Sequence, residues 1–373
     1  MKHLDEYRSA TASRVLVEQI RAATPQPLCL MEVCGGQTHS LLSHGITQAL
    51  KGHVEFIHGP GCPVCVTSIE DIDEAIRLAH SRDTQLVTFG DMLRVPGAKG
   101  TLAQARGAGA DVQLIYSPLD AVQRARENPE LTIVFFAVGF ETTVPATALA
   151  IQQAAELGLN NFRVLCSHVR VIPAMEMILR DHDCRIDGFL AAGHVCSVHG
   201  TAPYESLAQQ FQIPIVVAGF EPVDLLRAIL ASAIQIKNRD FGVVNHYQRY
   251  VEHDGNPLAL HAMEQVFSVS DRNWRGLGLL QGGGFEIQPP FQNFDARALE
   301  LGLRDGEPVS TASSLESRQS SQHQECPSGA VLRGQLKPCD CPHFGRSCTP
   351  EHPLGAPMVS SEGACAAYYR VTV

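Results

Sequence analysis

The sequence predicts an α/β fold with two similar parallel-sheet domains and a third domain that is mostly helical and loop-built. Two observations carry this. Short β-rich runs alternate with helix-length polar-apolar stretches up to about residue 226, and each run is almost wholly apolar, as strands covered by helices on both faces are. Beyond that point the alternation gives way to a helical run, LLRAILASAIQI, then to mixed sequence and a cysteine-rich tail.

Taken in order, a helix is expected around residues 11–23, within an N-terminal segment 1–24 that would pack on the third domain. LCLMEV (28–33), VEFIH (54–58), QLVTF (85–89) and VQLIY (112–116) form the first set of strands and define domain I, residues 25–126. LTIVFFAV (131–138), FRVLC (162–166), IDGFLAA (186–192) and IPIVVA (213–218) form the second set and define domain II, residues 127–225. Four strands followed by four strands suggest two sheets built sequentially. Residues 226–373 make the third domain, in which the Ser/Gln-rich stretch 305–325 reads as an exposed loop.

The chain has 373 residues and a formal net charge of -10, with no long basic run, which argues against a nucleic-acid surface. No stretch of eighteen apolar residues occurs, and the start MKHLDEYRSA lacks a signal-like apolar run, so no membrane association and a cytoplasmic location are expected. In a reducing compartment, twelve cysteines read as metal or redox ligands.

Two motifs follow consecutive strands. CGGQTHS (34–40) sets Cys34 at a Gly-Gly helix start, where amide donors favour a thiolate, with His39 five residues on as a second ligand or proton carrier. GPGCPVC (59–65) places Cys62 and Cys65 three apart in a Gly/Pro-rich turn, a spacing that permits a shared metal or a disulfide. Adjacent parallel strands would bring Cys34, Cys62 and Cys65 into one crevice. VGFETT (138–143) and AGFEPV (218–223) repeat Gly-Phe-Glu at carboxyl strand ends, which makes Glu141 a candidate acid/base group and Thr142 and Thr143 candidate donors. Glu221 reads equally well as a helix-start acid. His194 and His199, in AAGHVCSVHG, read as lining the crevice between the sheets, and Asp91 and Arg94, in FGDMLRVPG, as shaping its floor or a partner surface.

Five thiols crowd the tail: Cys326, Cys339, Cys341, Cys348 and Cys365. Their irregular spacing is not the paired pattern of a zinc ribbon and favours a loop-wrapped 4Fe-4S cluster. Cys29, Cys166, Cys184 and Cys196, in or beside strands, read as small hydrophobes.

Together CGGQTHS, GPGCPVC, FGDMLRVPG, VGFETT and CPHFGRSCTPEHPLGAPMVSSEGACAAYY closely resemble the HypD family of nickel-iron hydrogenase maturation factors, from about residue 30 to the C-terminus. The resemblance implies two α/β domains of similar fold and a third that carries a 4Fe-4S cluster. It implies a scaffold that works with the small chaperone HypC on the iron fragment Fe(CN)2CO, with HypE donating cyanide and HypF acting upstream. Residue by residue, it makes Cys34 the iron ligand with His39 close by, Cys62 and Cys65 the redox pair of the same crevice, and Cys326, Cys341, Cys348 and Cys365 the cluster ligands. The choice between Cys339 and Cys341 stays open on spacing. Two other classes compete: a thiol-disulfide reductase that acts on a protein partner, and a structural zinc protein.

Overall fold

A computed structural model of the protein describes residues 5–299 and 326–372. The stretch expected as an exposed loop, 305–325, lies outside the described residues. Nine strands form two parallel sheets. The five-stranded sheet has the order β2-β1-β7-β8-β9, from β1 (Leu28–Glu32), β2 (Val54–His58), β7 (Gly188–Ala192), β8 (Ile215–Ala218) and β9 (Val243–Asn245). The four-stranded sheet has the order β4-β3-β5-β6, from β3 (Thr84–Thr88), β4 (Val112–Leu114), β5 (Thr132–Gly139) and β6 (Phe162–His168). An antiparallel hairpin, β10 (Phe267–Trp274) and β11 (Gly278–Ile287), completes the strands among the described residues.

The expected sequential sheets are therefore not the ones formed. β1 pairs with β7 across more than 150 residues of chain, and β3 to β6 form a sheet inserted between β2 and β7. Nor does the alternation stop at residue 226. The helix Pro222–Asn238 buries Leu225, Leu226, Ala228 and Ile229 on the five-stranded sheet and leads into β9, which pairs with β8. The N-terminal helix Ala10–Ala23 packs beside that helix through Ile20.

Both sheets are covered on both faces, and the period of two is visible in the packing. In β7, Phe189 and Ala191 face one core while Leu190 faces the other. In β5, Ile133, Phe135 and Ala137 face helix Val144–Glu156, and Val134, Phe136 and Val138 face helix Ile69–Ala79. The latter helix is capped by Ser68, whose Oγ accepts from the Asp71 amide, and it carries Glu70 and Asp71 in its first turn, where the dipole favours acids. The hairpin joins the two units. Trp274 and Leu280 enter the core of the five-stranded sheet, and Phe267, Phe285 and Ile287 that of the four-stranded sheet.

The tail closes onto both units. Ala356 and Val359 pack with the four-stranded domain, and helix Ala364–Thr372 lies against helix Gly35–Ser43. Among the described residues, no helix is long and apolar enough to cross a membrane.

Candidate functional site

Strands β1 and β2 are paired in parallel with Glu32 opposite His58, so the chain leaves both at the same sheet edge, the usual ligand edge of an open α/β sheet. Cys34 follows β1 and is the N-cap residue of helix Gly35–Ser43; Cys62 follows β2 and is the N-cap residue of the short helix Pro63–Val66. The two turns touch. The Gly35 amide donates to the Gly61 carbonyl at 3.2 Å, and a Cβ on Gly61 would stand 2.2 Å from the Cys34 nitrogen. Only glycine permits that approach. Cys62 and Cys65 are joined as a disulfide, and both, like Cys34, are buried.

The histidine beside Cys34 is not His39, which points to solvent from the exposed face of its helix. It is His194, whose Nδ1 lies 3.7 Å from the Cys34 Sγ. A residue five positions along a helix from its N-cap has turned past the cap's own direction, whereas His194 enters from the next helix start, after β7. Burial holds the His194 pKa down at about 4, so the imidazole is neutral and available as a ligand or hydrogen-bond partner. Phe220 packs on His194 and over Gly36.

The Cys34 thiol also departs from expectation. Burial pushes its pKa up, and the Gln37 and Gly36 amides of the helix start offset only part of that, while Glu32 and Glu362 push it further up. A buried thiol flanked by two carboxylates holds its proton, and a cation placed here would displace it.

Several of these groups were not singled out from the sequence. Glu32 is wholly buried at the end of β1, and its Oε2 accepts the Cys34 amide at 2.8 Å. Its Oε1 takes the Thr38 hydroxyl and, at 2.6 Å, the His58 Nδ1. His58 Nε2 in turn lies 3.1 Å from the Tyr368 hydroxyl on the C-terminal helix. The signal was present: an acid ends one apolar strand and a histidine ends the next.

Glu141 lies at the carboxyl end of β5, in the other sheet. It is buried, with Oε1 accepting the Val171 amide at 3.0 Å, and burial raises its pKa against the nearby His199. Thr143 is the N-cap of the following helix, its hydroxyl bonded to the Phe140 carbonyl at 3.1 Å and 3.3 Å from His168 Nδ1. Glu221 instead pairs with Arg8 at the surface, at 2.5 and 2.7 Å. Asp91 and Arg94 hold the tail: Asp91 accepts from the Ser360 hydroxyl at 2.6 Å, and Arg94 donates to the Pro350 and Val359 carbonyls at 3.0 and 2.8 Å. Burial pushes Cys29 and Cys196 up to about 12, which leaves both as neutral thiols.

In the tail, Cys326, Cys341, Cys348 and Cys365 line one cavity together with Phe344, Pro357 and Met358. Cys339 is exposed and turns toward Asp340 instead. The Cys365 thiol is pushed up first by burial and then by Cys326, Cys348 and Cys341, so the four sulfurs face a common space in which a cation would relieve their repulsion. Their fit to a metal centre rests on that convergence of soft donors. Among the described residues, the three-residue group whose His, Cys, Asp or Glu ligand atoms all lie within 4.8 Å of one another is half-buried Asp181 with exposed His182 and Asp183; the tail thiols are not drawn that tightly. The cavity and the disulfide are one turn apart. Cys65 Sγ lies 3.8 Å from the Ala356 carbonyl, and Pro357 and Met358 of the same 3-10 turn line the thiol cavity.

Comparison with known proteins agrees with these motifs. The family model described as "HypD: Hydrogenase formation hypA family" matches residues 11–372. The chain is 43% identical over 378 residues to hydrogenase maturation factor HypD of Rhodobacter capsulatus and 44% identical over 378 residues to that of Escherichia coli K12, covering 99% of this chain and 98% of each relative. It is also 44% identical to hydrogenase expression/formation protein HupD of Azotobacter chroococcum, over 99% of this chain and 96% of that protein. With its site cysteines and nearly its whole length inside the match, the chain belongs to the HypD family.

Proposed function

We propose that this protein is a scaffold in nickel-iron hydrogenase maturation, on which the Fe(CN)2CO fragment is assembled in company with a HypC chaperone. HypE supplies cyanide and HypF acts upstream of it, in the cytoplasm. The observation that carries this reading is the meeting of Cys34 with the Cys62–Cys65 turn at one sheet edge, within a chain that matches hydrogenase maturation factors end to end. Low-spin ferrous iron with cyanide and carbon monoxide is a substrate that soft thiolates hold well. Cys34 has no sequence neighbour with which to form a disulfide, so it serves as the standing iron ligand with His194 beside it. Cys62 and Cys65 take up or release two electrons and two protons as they open and close.

The four tail thiols suit a 4Fe-4S cluster better than a single zinc. All four line one cavity, and their irregular, loop-borne spacing lacks the paired pattern of a zinc ribbon. When bound, the cluster supplies single electrons beside the disulfide, and Ala356–Met358 forms the shared wall. A reductase acting on a protein partner would use the same disulfide and tail.

Infrared spectra separate the two readings. The protein purified anaerobically with its HypC partner should show cyanide and carbon monoxide bands, and Cys34→Ala should abolish them while the tail's iron and sulfide content persists. Normal bands in Cys34→Ala would remove Cys34 from the role, and their absence in the unsubstituted complex would favour the reductase.

A further inference from the structure

The Cys34 turn and the C-terminal helix are joined by a continuous hydrogen-bonded chain, buried at Glu32 and His58 and half-buried at Tyr368, that the proposed chemistry does not use. Tyr368 lies three residues after Cys365, one turn along the same helix. Its hydroxyl is 3.1 Å from His58 Nε2, and its ring meets the imidazole edge to face at 5.1 Å. His58 Nδ1 meets Glu32 Oε1 at 2.6 Å, an acceptor that only an Nδ1–H can serve, and Nε2 is the ring nitrogen that faces the Tyr368 hydroxyl. Glu32 Oε2 then receives the Cys34 amide at 2.8 Å. Both Glu32 and His58 are buried, and each polar atom in the chain has a partner. Such a fully satisfied network fixes one geometry, because losing any member leaves a buried neighbour unpaired.

We propose that Tyr368 is a positioning residue for Cys34, acting through His58 and Glu32, so that the helix carrying a tail thiol and the turn carrying the iron-site thiol are held in register. The proposal takes Cys34 as the iron ligand from the reading above. Removing the phenol frees His58 to rotate, Glu32 then loses its fixed orientation, and the Cys34 amide loses its acceptor. The reacting groups stay in place, but the sulfur is aimed less tightly.

The test uses the full chain labelled with 15N-cysteine. Tyr368→Phe keeps the ring against His58 and removes only the hydroxyl. It should shift the Cys34 amide resonance beyond its linewidth and leave that of Cys29, whose amide is held by Asp187 at 2.7 Å, in place. Glu32→Gln should shift the Cys34 resonance further, and adding Tyr368→Phe to it should produce no additional shift. If Glu32→Gln does not fold, His58→Gln takes its place in the same comparison. In the anaerobic complex with HypC, Tyr368→Phe should displace the cyanide and carbon monoxide bands without abolishing them. An unmoved Cys34 resonance in Tyr368→Phe, or equal additional shifts in the double variant, would overturn the proposal. Missing bands in the unsubstituted complex would count against the scaffold reading alone, since the amide resonances are read without iron.

Discussion

Single residues set the crevice, and two of them show how. Gly61 has the Cys34 nitrogen where its Cβ would be, with the Val33 carbonyl carbon at 2.3 Å, so relief requires moving backbone rather than rotating a side chain. Gly61→Ala should therefore destabilise the protein by about 1–3 kcal/mol, the range for an overpacked site, read as a lower urea midpoint with an unchanged slope. Glu141 illustrates the electrostatic side. Its folded-state pKa is raised by burial, so the folded state holds the proton more tightly than the unfolded chain does. Stability from this group is complete below the unfolded carboxyl value of about 4.3 and is lost as pH rises through the raised folded value. Glu141→Gln should accordingly raise the urea midpoint at pH 8, and the gain should vanish on titration to pH 4. A gain that stays constant with pH would mean that the carboxyl is not the cause.

At the level of elements, the strands were readable because buried parallel strands are written as unbroken apolar runs, and all eight expected runs contain strands of the two sheets. The hairpin was not readable, although between its buried ends Phe267 and Trp274 β10 alternates half-buried and exposed positions. Its half-buried positions are Ser268, Ser270 and Arg272, and apolar Val269 is on the exposed side, so no apolar period of two marks the strand. β9 is three half-buried residues that become a strand only because β8 offers an edge. The hairpin nevertheless carries much of the union between the two domains. Trp274 is buried, and its indole Nε1 donates to the Gly283 carbonyl at 2.9 Å. Trp274→Ala should cost about 3–5 kcal/mol, measured by urea unfolding followed by circular dichroism. Because Trp274 packs in the core that also holds Cys34, the variant should also speed alkylation of Cys34 in native buffer, mapped by peptide mass.

For the whole molecule, the partition of strands between sheets was beyond the sequence because every run is equally apolar, and nothing in such a run specifies which neighbour it pairs with. Crossover geometry and the helix faces decide that, and here they return the chain to β1 after an entire second sheet has been built. The sequence did mark the thiols that meet at the sheet edge and around the tail cavity, through the Gly and Pro residues around them. It marked His194 only as a residue lining the crevice and did not single out Glu32 or Tyr368, since their roles here lie in contacts with residues 26 to 310 positions away.

The same long return brings the tail beneath the disulfide, and this arrangement has a measurable consequence. With Cys65 Sγ against Ala356 and the thiol cavity behind Pro357 and Met358, electrons entering at the tail have one short turn to cross. Reduction of the Cys62–Cys65 disulfide consumes two electrons and two protons and yields two thiols, and a single-electron centre must deliver the electrons one after the other. Under a photochemical one-electron donor in the absence of dithiols, the unsubstituted protein should gain two titratable thiols, assigned to Cys62 and Cys65 by alkylation and mass spectrometry. Cys341→Ala removes one cavity thiol and should slow that gain at least tenfold, together with a loss of bound iron. Cys339→Ala, whose thiol faces solvent beside Asp340, should leave both the gain and the iron unchanged. The reverse pattern would put Cys339 in the ligand set, and reduction at full rate in both variants would mean that the tail is not the route by which electrons reach the pair.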